Sequence, residues 1–174
     1  IWTGSKAQTG PEEVHFNLND CEPAALFTDG EYIPLIEEII ADLPTIKHQF
    51  GLKDGSNHRP TIASLLENDG RFERPDVYSD DGLVIIHTAA VAGRPRGALL
   101  SPNNLMWANL HLDYCFGLTK TDVHLSLLPL FHVAGLFLAA CSFQVGALNI
   151  NVSKFEAKQA VDVEFRFPFG WLEI

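Results

Sequence analysis

Apolar residues along the chain alternate between helical spacing and short continuous runs. Over residues 31–44, apolar side chains recur at intervals of three and four, which predicts a helix with one apolar face that Pro44 ends. Residues 83–88, Leu-Val-Ile-Ile-His-Thr, instead form an uninterrupted apolar run. Such a run predicts a strand in a sheet that is covered on both faces.

The remaining pattern predicts further elements of both kinds. Ser101 and Pro102 predict a helix start, as N-cap and first helical residue, and Gly117 predicts its end. The segment 134–146 is apolar on every side, which predicts a fully buried helix. Helices are predicted over residues 10–21, 61–69 (closed by Gly70), 102–116 and 134–146. Further strands are predicted over residues 24–30, 122–130 and 147–151, and polar loops over residues 51–60 and 71–82. Residues 156–174 are predicted to begin as a helix and to continue as an irregular segment. This alternation predicts an α/β fold with a mostly parallel sheet and flanking helices.

Composition narrows the function classes. The 174 residues suit one domain, and their net charge of −10 disfavours binding to the phosphate backbone of nucleic acids. Three widely spaced cysteines predict no disulfide framework and no zinc site, which favours a reducing compartment, the cytoplasm. Residues 125–143 are apolar enough to suggest a membrane span, but Ser126, Pro129 and His132 interrupt them, so we predict no transmembrane segment.

A loop of very small residues follows the strand at 83–88. Residues 87–97, His-Thr-Ala-Ala-Val-Ala-Gly-Arg-Pro-Arg-Gly, leave backbone N–H groups open to a ligand and add two guanidinium groups. Since ligands bind at the carboxyl ends of strands in open α/β sheets, we expect a phosphate-binding loop here. The alternative is a tight turn with two solvated arginines. Neither the Walker pattern nor the G-x-G-x-x-G dinucleotide pattern is present.

Two motifs in order resemble one enzyme family. Residues 87–105 resemble the phosphate-binding signature of the AMP-forming adenylating enzymes, which include acyl-CoA synthetases, luciferases and peptide-synthetase adenylation domains. That signature is T-S-G-T-T-G-x-P-K-G, and Thr88, Gly93, Pro95 and Gly97 match it in register. Downstream, Leu-Ser-Leu-Leu-Pro-Leu-Phe-His-Val-Ala-Gly-Leu resembles the family's PLFH…G segment.

The sequence also departs from the family pattern. The hydroxyl-rich core of the signature is replaced by Ala89, Ala90, Val91 and Ala92, so only backbone N–H donors remain there. Arg96 stands where the family has a lysine, which keeps the charge but changes its geometry. The loop is therefore either a working variant with different triphosphate handling or a degenerate one.

The resemblance implies a reaction and roles for particular residues. A carboxylic acid, by default a long- or medium-chain fatty acid, would react with ATP and Mg²⁺ to give an acyl-adenylate, and coenzyme A would then take the acyl group. His132, Val133 and Gly135 would line the acyl and adenylate pocket, with Gly135 giving clearance at a helix start. The ATP phosphates would contact Thr88, Ala89, Ala90, Val91, Ala92, Gly93, Arg94, Arg96 and Gly97. For His132 the alternative is an ordinary partly buried histidine with one hydrogen bond, and for Arg94 a solvated surface charge is favoured.

The resemblance also implies how much of such an enzyme the chain holds. Residues 1–174 would be part of the N-terminal AMP-binding domain, without the C-terminal lid, the Mg²⁺ ligands or an identifiable catalytic residue. Alone, this part is expected to be inactive. A truncated, non-catalytic nucleotide-binding module and an inactive fragment left by proteolysis stay open as alternatives, as does the oligomeric state.

Other titratable residues favour structural roles. His111 and Cys115 have a helical spacing that suits two ligands, but no further ligands cluster with them in sequence, so no metal site is predicted there. His87 lies in the predicted buried strand and is interpreted as structural. Asp80 and Asp81 are interpreted as residues of a solvated turn.

Overall fold

The computed structural model describes residues 2–4, 10–52, 59–67, 69–88, 94–152, 156, 158 and 171–172. It divides into two compact units, each of which is described by itself. The first unit comprises residues 1–4, 78–86 and 98–174, and the second comprises residues 5–77 and 87–97.

Helices and strands alternate along most of the chain, as predicted. The strands are β1 (Trp2–Thr3), β2 (Ala25–Thr28), β3 (His48–Gly51), β4 (Val84–His87), β5 (Gly97–Leu100), β6 (Val123–Ser126), β7 (Leu148–Asn151) and β8 (Trp171–Leu172). The helices are α1 (Pro11–Cys21), α2 (Ile33–Ile39), α3 (Ile62–Leu66), α4 (Pro102–Phe116) and α5 (Val133–Val145), and one 3-10 turn lies at each end of α2.

Parallel strand pairing is the main sheet feature. In the first unit β6 lies between β7 and β8 and is parallel to both. Strand β1 is parallel to β4, which also neighbours β5. In the second unit β2 and β3 form a parallel pair, on which the rings of Phe27 and Phe50 stack with centroids 5.0 Å apart. The α/β class with parallel pairing is confirmed, although the described strands form three small sheets instead of one.

Helices α4 and α5 pack on each other in the first unit. Asn109 donates its side-chain N–H to Gln144 at 2.9 Å, and the Cys141 thiol donates to the Asn109 carbonyl at 3.4 Å. Burial raises the pKa of the fully buried Cys141 thiol, and the negative charge of Asp113 adds to this effect. A neutral thiol is therefore part of this helix contact.

The ends of α4 follow from its sequence. Ser101 accepts a hydrogen bond from the Asn104 backbone N–H, and the Asn104 side chain accepts one from the Ser101 N–H. This pair is a capping box, with Pro102 at the first helical position. Gly117 ends the helix in the left-handed region at φ 62°. The predicted start and end are both confirmed.

The second unit has a core built by α1 and α2. Leu18 of α1 is buried together with Ile36, Ile39 and Leu43, which recur at helical spacing. This confirms the apolar face predicted over residues 31–44. The face stabilises the unit because side chains that are spaced by three and four residues leave water together.

Several predictions about individual elements were wrong. Strand β3 was not predicted, and α3 ends at Leu66, four residues before the predicted closing Gly70. The apolar helix α5 is not buried on every side, since 81% of Phe143 is exposed. Within the predicted irregular end, the structure describes only residues 156, 158 and 171–172, so the predicted helical beginning lies mostly outside the described residues. In the described part of the chain, the helices are too short or too polar to cross a bilayer.

Candidate functional site

The small-residue loop is closed by a hydrogen-bonded pair of residues. The backbone N–H of Thr88 donates to the Arg96 carbonyl at 3.0 Å, and the Arg96 N–H donates to the Thr88 hydroxyl oxygen at 3.4 Å. Five residues of the loop lie outside the described residues: Ala89, Ala90, Val91, Ala92 and Gly93. Residues 84–88 and 94–100 thus form a hairpin, and the Thr88 side chain contacts Arg96 across it, a role that the sequence pattern did not reveal.

Two guanidinium groups lie at this end of the loop, that of Arg96 from the closing pair and that of Arg94. Arg94 and Arg96 are exposed, and so is Gly97. The guanidinium carbon of Arg94 lies 5.1 Å from the centroid of the Phe16 ring of α1. Arg94 is thus a solvated surface charge, as the favoured interpretation expected, and its guanidinium also makes a cation–π contact that orients it at the surface. Both arginines offer donors to an anion from solvent.

His132 caps the N-terminus of α5. Its Nδ1 accepts a hydrogen bond from the Ala134 backbone N–H at 3.2 Å, and the side chain is exposed. Since Nδ1 acts as the acceptor, the neutral imidazole carries its proton on Nε2, which is then a donor. Among the described residues the His132 side chain makes one hydrogen bond, as the alternative interpretation expected, but the side chain is exposed and not partly buried.

Gly135 makes the first turn of α5 fit against the preceding segment. A Cβ at this buried position would lie 2.6 Å from the Pro129 carbonyl oxygen and 2.8 Å from that of Leu128. Any side chain would therefore collide with backbone. The predicted clearance exists, but it is clearance for the chain's own carbonyls. Val133, which precedes Gly135 by two residues, is 41% exposed.

The predicted site residues fall into the two compact units. Thr88, Arg94, Arg96 and Gly97 belong to the second unit, where the hairpin brings them together. His132, Val133 and Gly135 belong to the first unit, where they form the start of α5.

The other titratable residues considered in the sequence, those of α4 and of the turn at residues 78–81, are exposed. His111 and Cys115 of α4 are exposed. Asp81 accepts a hydrogen bond from the Tyr78 N–H at 2.8 Å, which confirms the interpretation of this stretch as an exposed turn.

One group of neighbouring side chains was not predicted from the sequence. Asp20 and Cys21, at the end of α1, lie beside His87, at the end of β4. The three bring one oxygen, one sulfur and one nitrogen within 4.8 Å of one another. His87 is interpreted as structural from its place in the predicted strand, and its partners could not be predicted because they lie 66 and 67 residues away in sequence.

Comparisons with known proteins agree with the two motifs. The family model described as AMP-binding enzyme matches residues 3–165. The chain belongs to this family. The resemblance to the adenylating enzymes, drawn from residues 87–105 and 125–136, is thereby confirmed.

Several relatives of the chain are named as CoA ligases. It is 30% identical over 159 residues to the indoleacetate–CoA ligase of Aromatoleum aromaticum, covering 88% of this chain and 30% of that protein. It is 27% identical over 150 residues to the mitochondrial malonate–CoA ligase of Mus musculus, covering 84% and 24%. The chain thus spans less than a third of the length of these two relatives.

A solved structure has the same fold. A Rhodopseudomonas palustris protein assigned as a long-chain-fatty-acid CoA ligase superposes with a TM-score of 0.84 at 36% identity. The match covers 93% of this chain and 41% of that protein. The α/β architecture described above therefore matches part of this solved structure.

Proposed function

We propose that this chain is part of an ATP-dependent acid–thiol ligase that forms an acyl-adenylate and then an acyl-CoA thioester. The observation that carries this proposal is the hairpin closed by Thr88 and Arg96, with both arginines exposed beside the loop, inside a chain of the AMP-binding family. The names of its relatives support the CoA-ligase class.

The hairpin is proposed to hold the β- and γ-phosphates of ATP. Backbone N–H groups of residues 89–93 would contact phosphate oxygens, as would the guanidinium of Arg96, with Arg94 assisting. Cations and aligned N–H groups stabilise the negative charge that builds up as pyrophosphate leaves. Guanidinium groups suit phosphate oxygens and do not bind Mg²⁺, so we place no Mg²⁺ ligand on Arg94 or Arg96.

The start of α5 is proposed to face the acyl-adenylate. With Nδ1 of His132 engaged by the Ala134 N–H, its Nε2–H is the donor left for a carboxylate or phosphate oxygen. Val133 is exposed enough to contact an acyl group. Gly135 supports this arrangement indirectly, by letting the helix start lie close to residues 128–129.

Residues 1–174 are proposed to be part of a larger N-terminal domain, with the Mg²⁺ ligands and a C-terminal lid supplied by further chain. On this proposal, these residues alone bind ATP but do not complete the reaction. The substrate class is a carboxylic acid, with a long- or medium-chain fatty acid as the default. The cytoplasmic location stays a prediction, and the oligomeric state stays open.

A second candidate function is a non-catalytic nucleotide-binding module. The observation that favours it is the replacement of the family's hydroxyl-rich S-G-T-T segment by Ala89, Ala90, Val91 and Ala92. Such a module would bind ATP without forming an adenylate.

One pair of variants tests the phosphate loop. Arg96→Ala should weaken ATP binding by at least about tenfold, since a charge-assisted contact contributes about 1.5–3 kcal/mol. Arg74→Ala, which removes an exposed arginine from the loop between α3 and β4, is the matched control and should leave ATP binding unchanged. Unchanged binding in Arg96→Ala, measured by calorimetry, would refute the phosphate role.

Release of pyrophosphate separates the two candidate functions. First, the intact mass of the native protein shows whether it exceeds 19.2 kDa. The ligase proposal then expects carboxylate-dependent pyrophosphate release from the native protein. Binding of ATP without that release, across a panel of aliphatic and aromatic carboxylic acids, would favour the non-catalytic module.

A further inference from the structure

We propose that Asp20, Cys21 and His87 form a binding site for Zn²⁺. The Nε2 atom of His87 lies 3.7 Å from the Cys21 sulfur and 3.6 Å from a carboxylate oxygen of Asp20. All three residues belong to the second compact unit. Two elements far apart in sequence, the end of α1 and the end of β4, thus bring three different ligand types to one point.

The two distances from His87 Nε2 are close to those between the ligands of a tetrahedral ion. Zinc binds cysteine sulfur at about 2.3 Å, histidine nitrogen at about 2.0–2.1 Å and carboxylate oxygen at about 2.0–2.2 Å. Ligands at tetrahedral angles are then about 3.3–3.6 Å from one another, by the same bond lengths. Of the two distances from His87 Nε2, the one of 3.6 Å to Asp20 lies within this range and the one of 3.7 Å to Cys21 lies just above it. The Cys21 sulfur and the Asp20 oxygen lie within 4.8 Å of each other, and small side-chain rotations can bring them to the same range.

The arrangement does not suit a proton relay. In a Cys-His-Asp relay the thiol and the carboxylate occupy opposite nitrogens of the imidazole ring. Here both Cys21 and Asp20 lie beside the same nitrogen, Nε2 of His87. A single atom that faces two ligand-type neighbours indicates convergence on a shared centre.

Ligand chemistry selects the metal class. Thiolate and imidazole favour Zn²⁺, whereas Mg²⁺ and Ca²⁺ require oxygen ligands. Three protein ligands leave a fourth position for water. On binding, the Cys21 thiol gives its proton to solvent, and the sulfur–zinc bond takes its place.

The difference in exposure between the ligands would let the ion enter from the side of the Asp20 carboxylate. The His87 side chain is 10% exposed, whereas that of Asp20 is 46% exposed, so the carboxylate lies toward solvent. His87 directly precedes Thr88, the residue that closes the hairpin. A bound ion would therefore join the end of α1 to the start of the small-residue loop. The site does not depend on ATP binding.

Metal binding alone provides the test. Zn²⁺ is titrated into the purified 174-residue chain against a chromophoric chelator, and Co²⁺ absorption reports thiolate coordination. We expect one ion per chain with micromolar or tighter affinity, and a sulfur-to-cobalt charge-transfer band. Cys21→Ser should abolish the band and weaken Zn²⁺ binding by more than about 100-fold, since even outer-shell changes cost about 10–100-fold.

Two further variants keep the test specific. His87→Ala should weaken binding as strongly as Cys21→Ser. The double variant His111→Ala, Cys115→Ser removes an exposed histidine and cysteine four residues apart on α4 and should leave binding unchanged. Circular dichroism of each metal-free variant checks the fold, and Cys21→Ser, which is nearly isosteric, decides if His87→Ala does not fold.

The site would be refuted by three results. These are the absence of stoichiometric binding by the parent chain, retention of its affinity in Cys21→Ser, and loss of affinity in the α4 double variant. None of these results bears on the phosphate loop, because no nucleotide is present in the assay.

Discussion

The two segments that carry the family motifs, residues 88–97 and 129–135, are held in place by different means. The hairpin is closed by hydrogen bonds between Thr88 and Arg96, and its charged side chains stay exposed. The start of α5 is capped by His132 and is also fixed by steric fit, since Gly135 lies against backbone carbonyls. A segment held by backbone hydrogen bonds tolerates changed side chains, whereas one held by steric fit does not. The hairpin sequence departs from the family pattern at residues 89–92, whereas the sequence at the α5 start keeps the family's PLFH…G segment.

Gly135→Ala is expected to have the largest effect on stability. Its Cβ would lie under 3 Å from two carbonyl oxygens, so the helix start must shift. We expect the free energy of unfolding to fall by about 2–3 kcal/mol, as for overpacked cores. Urea unfolding measures the change.

Gly10→Ala is the control for this substitution. A Cβ at Gly10 would meet no atom within 4 Å, so only the N-cap preference of α1 changes. We expect a loss of at most about 1 kcal/mol. Equal losses in the two variants would show that steric fit does not distinguish the α5 start.

Substitutions at His132 separate its capping role from its proposed ligand role. His132→Ala removes the acceptor for the Ala134 N–H and should cost about 1 kcal/mol. His132→Asn supplies another capping oxygen and should keep the unfolding midpoint within experimental error. If His132 contacts the adenylate through Nε2, the asparagine variant should still lose pyrophosphate release in the native protein.

Retention of activity in His132→Asn would contradict the ligand role. If His132→Asn is destabilised as much as His132→Ala, the cap depends on the imidazole ring itself.

Thr88→Val tests how the hairpin is closed. The substitution removes the hydroxyl that accepts the Arg96 N–H, while the Thr88 N–H can still donate to the Arg96 carbonyl. We expect a loss of about 0.5–1 kcal/mol in unfolding free energy, as for one hydrogen bond. Thr88→Ser keeps the hydroxyl and should behave as the parent chain. If serine is as destabilising as valine, the threonine methyl group and not its oxygen holds the hairpin.

The contact between Arg94 and Phe16 is expected to contribute least. A double-mutant cycle with Arg94→Ala and Phe16→Leu should give a coupling energy of about 0.5 kcal/mol, typical of exposed cation–π pairs. Additive effects of the two substitutions would show that the arginine is not oriented by the ring.

Local chemistry accounts for most of what the sequence predicted. The cap at Ser101, the end at Gly117 and the apolar face that includes Ile36 each depend on neighbours within one helix. The resemblance to the family indicated the hairpin and His132 as site residues, whereas periodicity alone indicated no role for His132.

Non-local contacts account for what the sequence could not predict. Strand β3, His48–Gly51, has no alternating pattern and is defined by its pairing with β2. The proximity of Cys21 and His87 requires the fold to bring residues 66 positions apart together. The exposure of Phe143 depends on what packs around α5, which the helix's own composition does not specify.

The position of β6 between two later strands has a consequence for synthesis. Its partner β7 follows after one helix, but β8 emerges only at Trp171. Roughly 45 residues separate β6 from β8, so at ribosomal rates of about 5–20 residues per second one edge of β6 waits about 2–9 s for its partner. Strand edges that stay unpaired are the places where nascent chains associate wrongly. Slower translation of this segment should therefore lower the yield of correctly folded protein.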